Sequence, residues 1–242
     1  MQKHNAGLRA QQEDGLMNYA QLFETIKGYV ENDFPNTSWT GSDGSTSVTL
    51  TSTEQINTFI EQAEQRIFNT VQLLDLRKNV TGNMTAGNKY LSVPSDWLAN
   101  FSMAVIDGDG NYEYLLNKDV NFIRQAYPNP NDQGLPYCYA YFDENSYILG
   151  PTPDDDYEVE LHYFYYPPSI VEAGTSWLGD NFDSALLYGA LLEAYTYMKG
   201  EADVIAGYQK RYEESMGLLK QLGDGKNRQD MYRSGQVRYP VR

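Results

Sequence analysis

The segment Phe182 to Met198 constrains this chain most. Phe182, Ala185, Leu186, Leu187, Ala190, Leu191, Leu192, Ala194, Tyr195 and Met198 leave almost no polar face at helical spacing. A helix that is apolar nearly all round is stable only when other elements cover it on every side. Whatever the chain folds into must therefore wrap this helix. Gly189, Ala190 and Ala194 are small enough to let a neighbouring helix approach closely. The sequence predicts Asp180 as its N-cap and a break or kink at Gly200. Beyond Gly200 the pattern turns amphipathic through Ile205, Tyr208, Tyr212, Met216 and Leu219, and Gly223 and Gly225 read as its stop signal.

Two more helices precede it. Tyr19, Leu22, Phe23, Ile26 and Val30 recur at three- and four-residue steps behind Asn18, a plausible N-cap. Ser52 with Gln55 fits a capping box, and Ile56, Phe59, Ile60, Ala63, Ile67, Val71 and Leu74 mark one face of a long amphipathic helix. Glu54, Glu61, Glu64, Gln65 and Asn69 fall opposite. Between these helices, Asn36 to Gly44 reads as an exposed loop and Ser45 to Leu50 as a short edge strand.

The middle of the chain reads as strands. Lys89–Val93 leads into Pro94. Phe101–Asp107 and Tyr112–Leu116 flank the turn Gly108-Asp109-Gly110-Asn111 and form a hairpin. A short helical piece spans Asp119–Gln125, and a proline-rich turn follows at Tyr127–Gly134. Strands then run over Tyr137–Phe142, Ser146–Leu149 and Tyr157–Tyr166. In the last of these, Tyr157, Val159, Leu161 and Tyr163 share one face, and Pro167-Pro168 ends it. The resulting expectation is an α+β, mainly helical fold: a helical bundle with a β-rich insertion and an extended C-terminal tail. Its parts are a flexible arm (1–16), a helical part with two helices and a loop at 34–50 (17–88), the insertion (89–170), a long C-terminal helix (171–222) and an extended basic tail (223–242).

Charge and cysteine usage narrow the function. The chain carries a net charge of −15, and 21 of its 242 residues are tyrosine. Residues 17–222 hold 29 acidic and 11 basic side chains, whereas 223–242 hold five basic and two acidic ones. An acidic body repels nucleic-acid phosphates. Cys138 is the one cysteine, which excludes an intrachain disulfide and cysteine-rich zinc sites. No apolar run reaches a membrane span, and the first residues lack the apolar core of a signal peptide, so synthesis in the cytoplasm and no membrane association are expected.

Residues that could carry chemistry are few. Asp107-Gly108-Asp109-Gly110-Asn111 begins like an EF-hand loop, but Tyr112 and Lys118 stand where glycine and glutamate are needed. Asp154-Asp155-Asp156 reads as a solvated turn. His4 and His162 are the available imidazole bases, and neither accompanies a nucleophile motif. Cys138 between Tyr137 and Tyr139 reads as a buried hydrophobe. Gly223-Asp224-Gly225-Lys226 lacks the spacing of a P-loop. Tyr163, Phe164, Tyr165 and Tyr166 could stack on sugar, although alternation sends them to opposite faces. No cofactor, metal site or catalytic activity is expected.

The order of elements carries a resemblance. Two helices and a β-rich insert lead to Ile148-Leu149-Gly150-Pro151-Thr152-Pro153-Asp154. The tyrosine strand Tyr157-Glu158-Val159-Glu160-Leu161-His162-Tyr163-Phe164-Tyr165-Tyr166 then ends in Pro167-Pro168. The helix opening Asn181-Phe182-Asp183-Ser184-Ala185-Leu186-Leu187 follows. Over residues 17–222 this layout resembles the head-to-tail adaptor, or connector, proteins of short-tailed bacteriophages. The resemblance implies a structural virion protein at the head–tail junction. Such a protein forms a homo-oligomeric ring, commonly a dodecamer, below the portal, where it extends the DNA channel and docks the tail's nozzle, tube or fibre proteins. Genomic DNA would pass without specific binding. The helices would form the ring body, the strands would face the tail, and the basic tail would reach the portal through Arg228, Tyr232, Arg233, Arg238, Tyr239 and Arg242. The alternatives are a tail-tube or tail-completion protein and, in a different class, an aromatic carbohydrate-binding module.

Overall fold

The computed structural model describes residues 17–40 and 47–234, those from 225 onward as backbone only. The expected arm at 1–16 lies outside the described residues. The chain divides into two compact units: one from residues up to Leu74 together with those from Pro168 onward, the other Asp75–Pro167.

In the first unit, α1 (Tyr19–Val30) starts at Asn18, whose side chain and that of Gln21 cap each other's backbone N–H. A hairpin follows, β1 (Thr37–Thr40) with β2 (Ser47–Leu50). The next helix, α2 (Ser52–Thr70), opens on a capping box between Thr51 and Glu54, one residue earlier than the Ser52–Gln55 pair of the sequence reading. That shift frees Gln55 for a different task. It is buried, and its amide donates to the carbonyls of Pro35 and Leu50, which ties the base of the hairpin to the helix.

The expected single C-terminal helix is four helices. The first two are α4 (Ile170–Ala173), capped by Ser169, and α5 (Trp177–Asn181), capped by Ser176 where Asp180 was expected. Next, α6 (Asp183–Tyr197) has no side-chain cap. Its apolar surround is met as predicted: it packs against α1, α2, α5 and α7, and Ala185, Leu186, Ala190, Leu191 and Ala194 are fully buried. The chain breaks between Met198 and Glu201, with Lys199 at φ 55°, so Gly200 marks a full break. Finally, α7 (Ala202–Ser234) runs through Gly223 and Gly225, where the sequence reading ended it. Gly223 lies close against the backbone of Gln72, so packing on the end of α2 overrides the local stop signal.

The second unit is a β-sandwich. One sheet has the order β3-β10-β5-β6, formed by Arg77–Asn83, Glu158–Phe164, Ala99–Ile106 and Tyr112–Tyr114. The other has the order β4-β9-β8-β7, formed by Tyr90–Ser92, Ser146–Gly150, Cys138–Asp143 and Leu116–Asn117. Alternate residues of both sheets meet inside, including Met103, Val105, Val159, Leu161 and Tyr163 from the first and Tyr139, Tyr147 and Leu149 from the second. The second sheet is buried on its other face as well: Cys138, Ala140 and Ile148 pack under Ile123 of α3 (Val120–Ala126). The predicted strand Tyr112–Leu116 divides at Leu115, where the chain crosses from one sheet to the other. Gly150 explains part of the Gly-Pro-x-Pro motif. A Cβ there would sit 2.9 Å from the Tyr127 ring and 3.1 Å from the Cys138 sulfur.

The fold class therefore needs correction. The structure is mixed, at 44% helix and 25% strand, with seven helices and three sheets among the described residues, and is not a mainly helical bundle. Two features hid the strand content. Arg77–Asn83 is polar except for Val80, since as an edge strand it buries little, and β1 lies in a segment whose Ser, Thr and Gly content reads as loop.

Candidate interaction surfaces

The residues with possible chemistry take structural places. Asp107 closes the β5–β6 turn: the Asn111 side-chain amide donates to it at 3.0 Å, and the N–H groups of Asn111 at 2.8 Å and Asp109 at 2.9 Å add to the hold that keeps its carboxyl below the usual range. Asp154 accepts from the Tyr157 hydroxyl, and Asp156 accepts from the Ala86 N–H. Among the described residues no group of three or more His, Cys, Asp or Glu could hold a metal ion. Cys138 is fully buried, donates to the Gly150 carbonyl at 3.3 Å, and has its thiol pushed up by burial. His162 sits edge-on against Phe101, with ring centroids 4.8 Å apart. Tyr163 is buried in the sandwich core, so the four consecutive aromatics do not form one stacking platform.

Surfaces suited to partners are clearer. The hairpin β1–β2 is exposed along its whole length. Its register places Trp39 opposite Val48 and Thr37 opposite Leu50. One face is therefore apolar, with Trp39 62% exposed, and the other is lined by hydroxyls, with Ser38 and Thr49 bonded at 3.0 Å. None of the eight strand residues is charged.

A groove of about 320 Å³ runs between the end of α2 and α7, lined by Arg66, Thr70, Tyr212, Met216 and Gly217 among others. The Tyr212 hydroxyl is buried there without a hydrogen-bond partner. In the sandwich, a second cleft of about 360 Å³ opens beside the edge strands β3 and β4, over Val80, Leu91, Val159 and Leu161. On that sheet Arg77 lies 4.3 Å over the Phe101 ring and 5.4 Å over that of Phe164. Sequence reasoning missed the groove. Its residues come from segments more than a hundred positions apart, and no local pattern joins them.

Of the residues expected to bind a portal, Arg228, Tyr232 and Arg233 fall on the backbone of α7, while Arg238, Tyr239 and Arg242 lie outside the described residues. No helix among the described residues is long and apolar enough to cross a membrane.

Exposed apolar and aromatic side chains, above all Trp39, Val48 and Leu50 on the hairpin, make surfaces suited to contact with other molecules. Comparison with known families agrees: residues 17–239 match the model of a family described as SU10 adaptor protein. The chain belongs to the SU10 adaptor protein family, consistent with a phage head-to-tail adaptor. No curated protein matches it.

Proposed function

We propose that the chain is the repeating subunit of a homo-oligomeric ring, a dodecamer, in the virion of a short-tailed phage. The ring sits beneath the portal at the head–tail junction, extends the DNA channel and presents a platform to the tail proteins. The observation that carries this reading is the family match across nearly the whole chain, from 17 to 239. The role is structural and involves no catalysis. The acidic excess of residues 17–222 supports a channel through which DNA slides, because basic side chains there would create affinity.

The basic C-terminal stretch makes the portal contact in this reading. Arg228, Arg233, Arg238 and Arg242 pair with carboxylates of the portal, and Tyr232 and Tyr239 add buried aromatic area. Truncation after Asp224 tests it. The shortened chain is expected to fold normally and to fail to join portal-containing heads. Co-purification with portal at the full-length stoichiometry would move the contact to another surface.

A further inference from the structure

We propose that, in the absence of a portal, residues 236–242 of one copy of the chain lie as an added strand along the open edge of β3 in another copy's sandwich. This rests on the portal reading of the C-terminal stretch and gives that stretch a resting seat, from which the portal displaces it.

Three observations carry it. The first is the cleft beside β3 and β4, about 360 Å³ in volume. Val80, Leu91, Val159 and Leu161 make its wall, and none of the residues lining it is charged. Gly82 opens it. Its ladder partner is Val159, an inward residue of β10, so Gly82 stands on the inner face and leaves that place without a side chain.

The second is the edge. The Met84 N–H donates to the Tyr157 carbonyl at 2.8 Å, and the Tyr165 N–H donates to the Leu76 carbonyl at 2.9 Å. Even-numbered residues of β3 therefore turn their peptide groups towards β10. Asn79, Thr81 and Asn83 turn theirs to the open side. Such an edge is a template for a further strand.

The third is the occupant. Residues 236–242 read Gln-Val-Arg-Tyr-Pro-Val-Arg. At strand spacing Val237, Tyr239 and Val241 share one face, and Gln236, Arg238, Pro240 and Arg242 share the other. Residues 1–16, by contrast, contain no Val, Ile, Thr, Phe, Tyr or Trp, the residues strands favour. The apolar face suits the cleft. The basic face suits the outer surface of the sheet, where Glu158 and Glu160 of β10 lie behind Asn83 and Thr81. Asn79 already donates to Glu160 at 3.1 Å, but a carboxylate accepts several hydrogen bonds, and Glu158 is exposed. Copies of a chain with net charge −15 repel one another, and this contact brings a segment with two basic and no acidic residues to the acidic surface.

Pro240 fixes the direction. In an antiparallel pair, the residues bonding to Asn79, Thr81 and Asn83 would be those of the basic face, and Pro240 has no N–H to give. In a parallel pair the bonding residues are Val237, Tyr239 and Val241, and Pro240 turns away from the ladder. Placing Tyr239 beside Gly82 then sets Val237 beside Val80 and Arg238 beside Thr81, in the row of Glu160. The tyrosine ring fills the place that the glycine leaves open. Arg238 stands two strands, roughly 10 Å, from Glu160, within the combined reach of the two side chains.

The test uses the full-length chain without portal, followed by sedimentation velocity. Self-association should appear as concentration rises, and Tyr239→Ala should weaken it by roughly tenfold or more, the scale of a buried aromatic anchor. Gly82→Val fills the cleft in ordinary contact, since a Cβ there lies 3.8 Å from Val159 Cγ1, so it should keep the native melting temperature and lose the association. Chains carrying Thr81→Cys mixed with chains carrying Arg238→Cys should form disulfide-linked pairs under oxidation, well above either alone. Gly82→Val should still join portal-containing heads, because its tail is intact. If the mixture gives no linked pairs above either alone, or if association is unmoved by both substitutions, the strand contact is overturned and the portal reading is untouched. If the linked pairs form while the chain truncated after Asp224 still joins heads, the contact holds and the portal reading falls.

Discussion

Glu64 on α2 accepts a 3.0 Å hydrogen bond from the backbone N–H of Ile170, a residue 106 positions away. The carboxylate, 3% exposed, closes the N-terminus of α4 and fastens the two separate stretches of the helical unit. Burial pushes its pKa up, against the opposing pull of the Ser169 hydroxyl and the Ile170 N–H. The folded state therefore holds a proton that the unfolded chain has released near pH 4.5. Stability falls as pH rises from there through the folded value.

Glu64→Gln keeps an acceptor for Ile170 and removes the buried charge. It should match or exceed the native protein in thermal stability at neutral pH, with a flatter profile above pH 4.5. Glu64→Ala should cost about 1–3 kcal/mol, because it orphans the N–H. A strong loss of stability in the glutamine variant at neutral pH would show that the ionised form is the stabilising one.

Asp96 behaves in the opposite sense. Lys78 donates to it at 2.7 Å and so does the Tyr163 hydroxyl, and the lysine's hydrogen bond is the main cause of a carboxyl held below the ordinary range. Its contribution is present above about pH 3.8 and is lost as pH falls through the depressed value. Asp96→Asn should lower stability at neutral pH and make the acid limb of a melting profile shallower. Tyr163→Phe should cost about 1–2 kcal/mol, measured by denaturant unfolding.

Helix approach in the first unit depends on Gly189. A Cβ there would lie 3.1 Å from that of Ala63 and 3.3 Å from the Tyr212 ring. Gly189→Leu should destabilise by about 2–3 kcal/mol through overpacking. Gly207→Ala on α7, where the added atom meets nothing within 4 Å, should gain up to about 1 kcal/mol from helix propensity. Calorimetry on the two variants separates crowding from propensity.

DNA should bind weakly. The acidic excess over residues 17–222 predicts that assembled chains truncated after Asp224 show little affinity for duplex DNA even at low salt. Submicromolar, salt-sensitive binding in a filter or fluorescence assay would contradict an inert channel.

Periodicity made the helices legible. The faces around Leu22 and Ile26, around Ile60 and Ala63, and the closed apolar surface of α6 all follow from side-chain spacing, and all are buried. Alternation did the same for β10, with Val159, Leu161 and Tyr163 inward. What escaped was set by tertiary context. Glu64 sits where spacing puts a solvated face, yet α4 covers it. Gly223 reads as a stop, yet the end of α2 carries the helix past it. The polar edge strand Arg77–Asn83 has no pattern of its own and exists because β10 offers it a ladder. The α2–α7 groove is invisible for the same reason, as it joins Arg66 and Thr70 to Tyr212 and Gly217 only after folding.

A ring of this adaptor-family chain on the portal, as proposed above, has a direct test. Negative-stain imaging and native mass spectrometry of the purified chain mixed with purified portal ring test it most directly. The expected result is a second ring stacked on the portal, with the chain present as a dodecamer. A chain that stays unbound, or that binds only tail components while the portal ring remains bare, would contradict it.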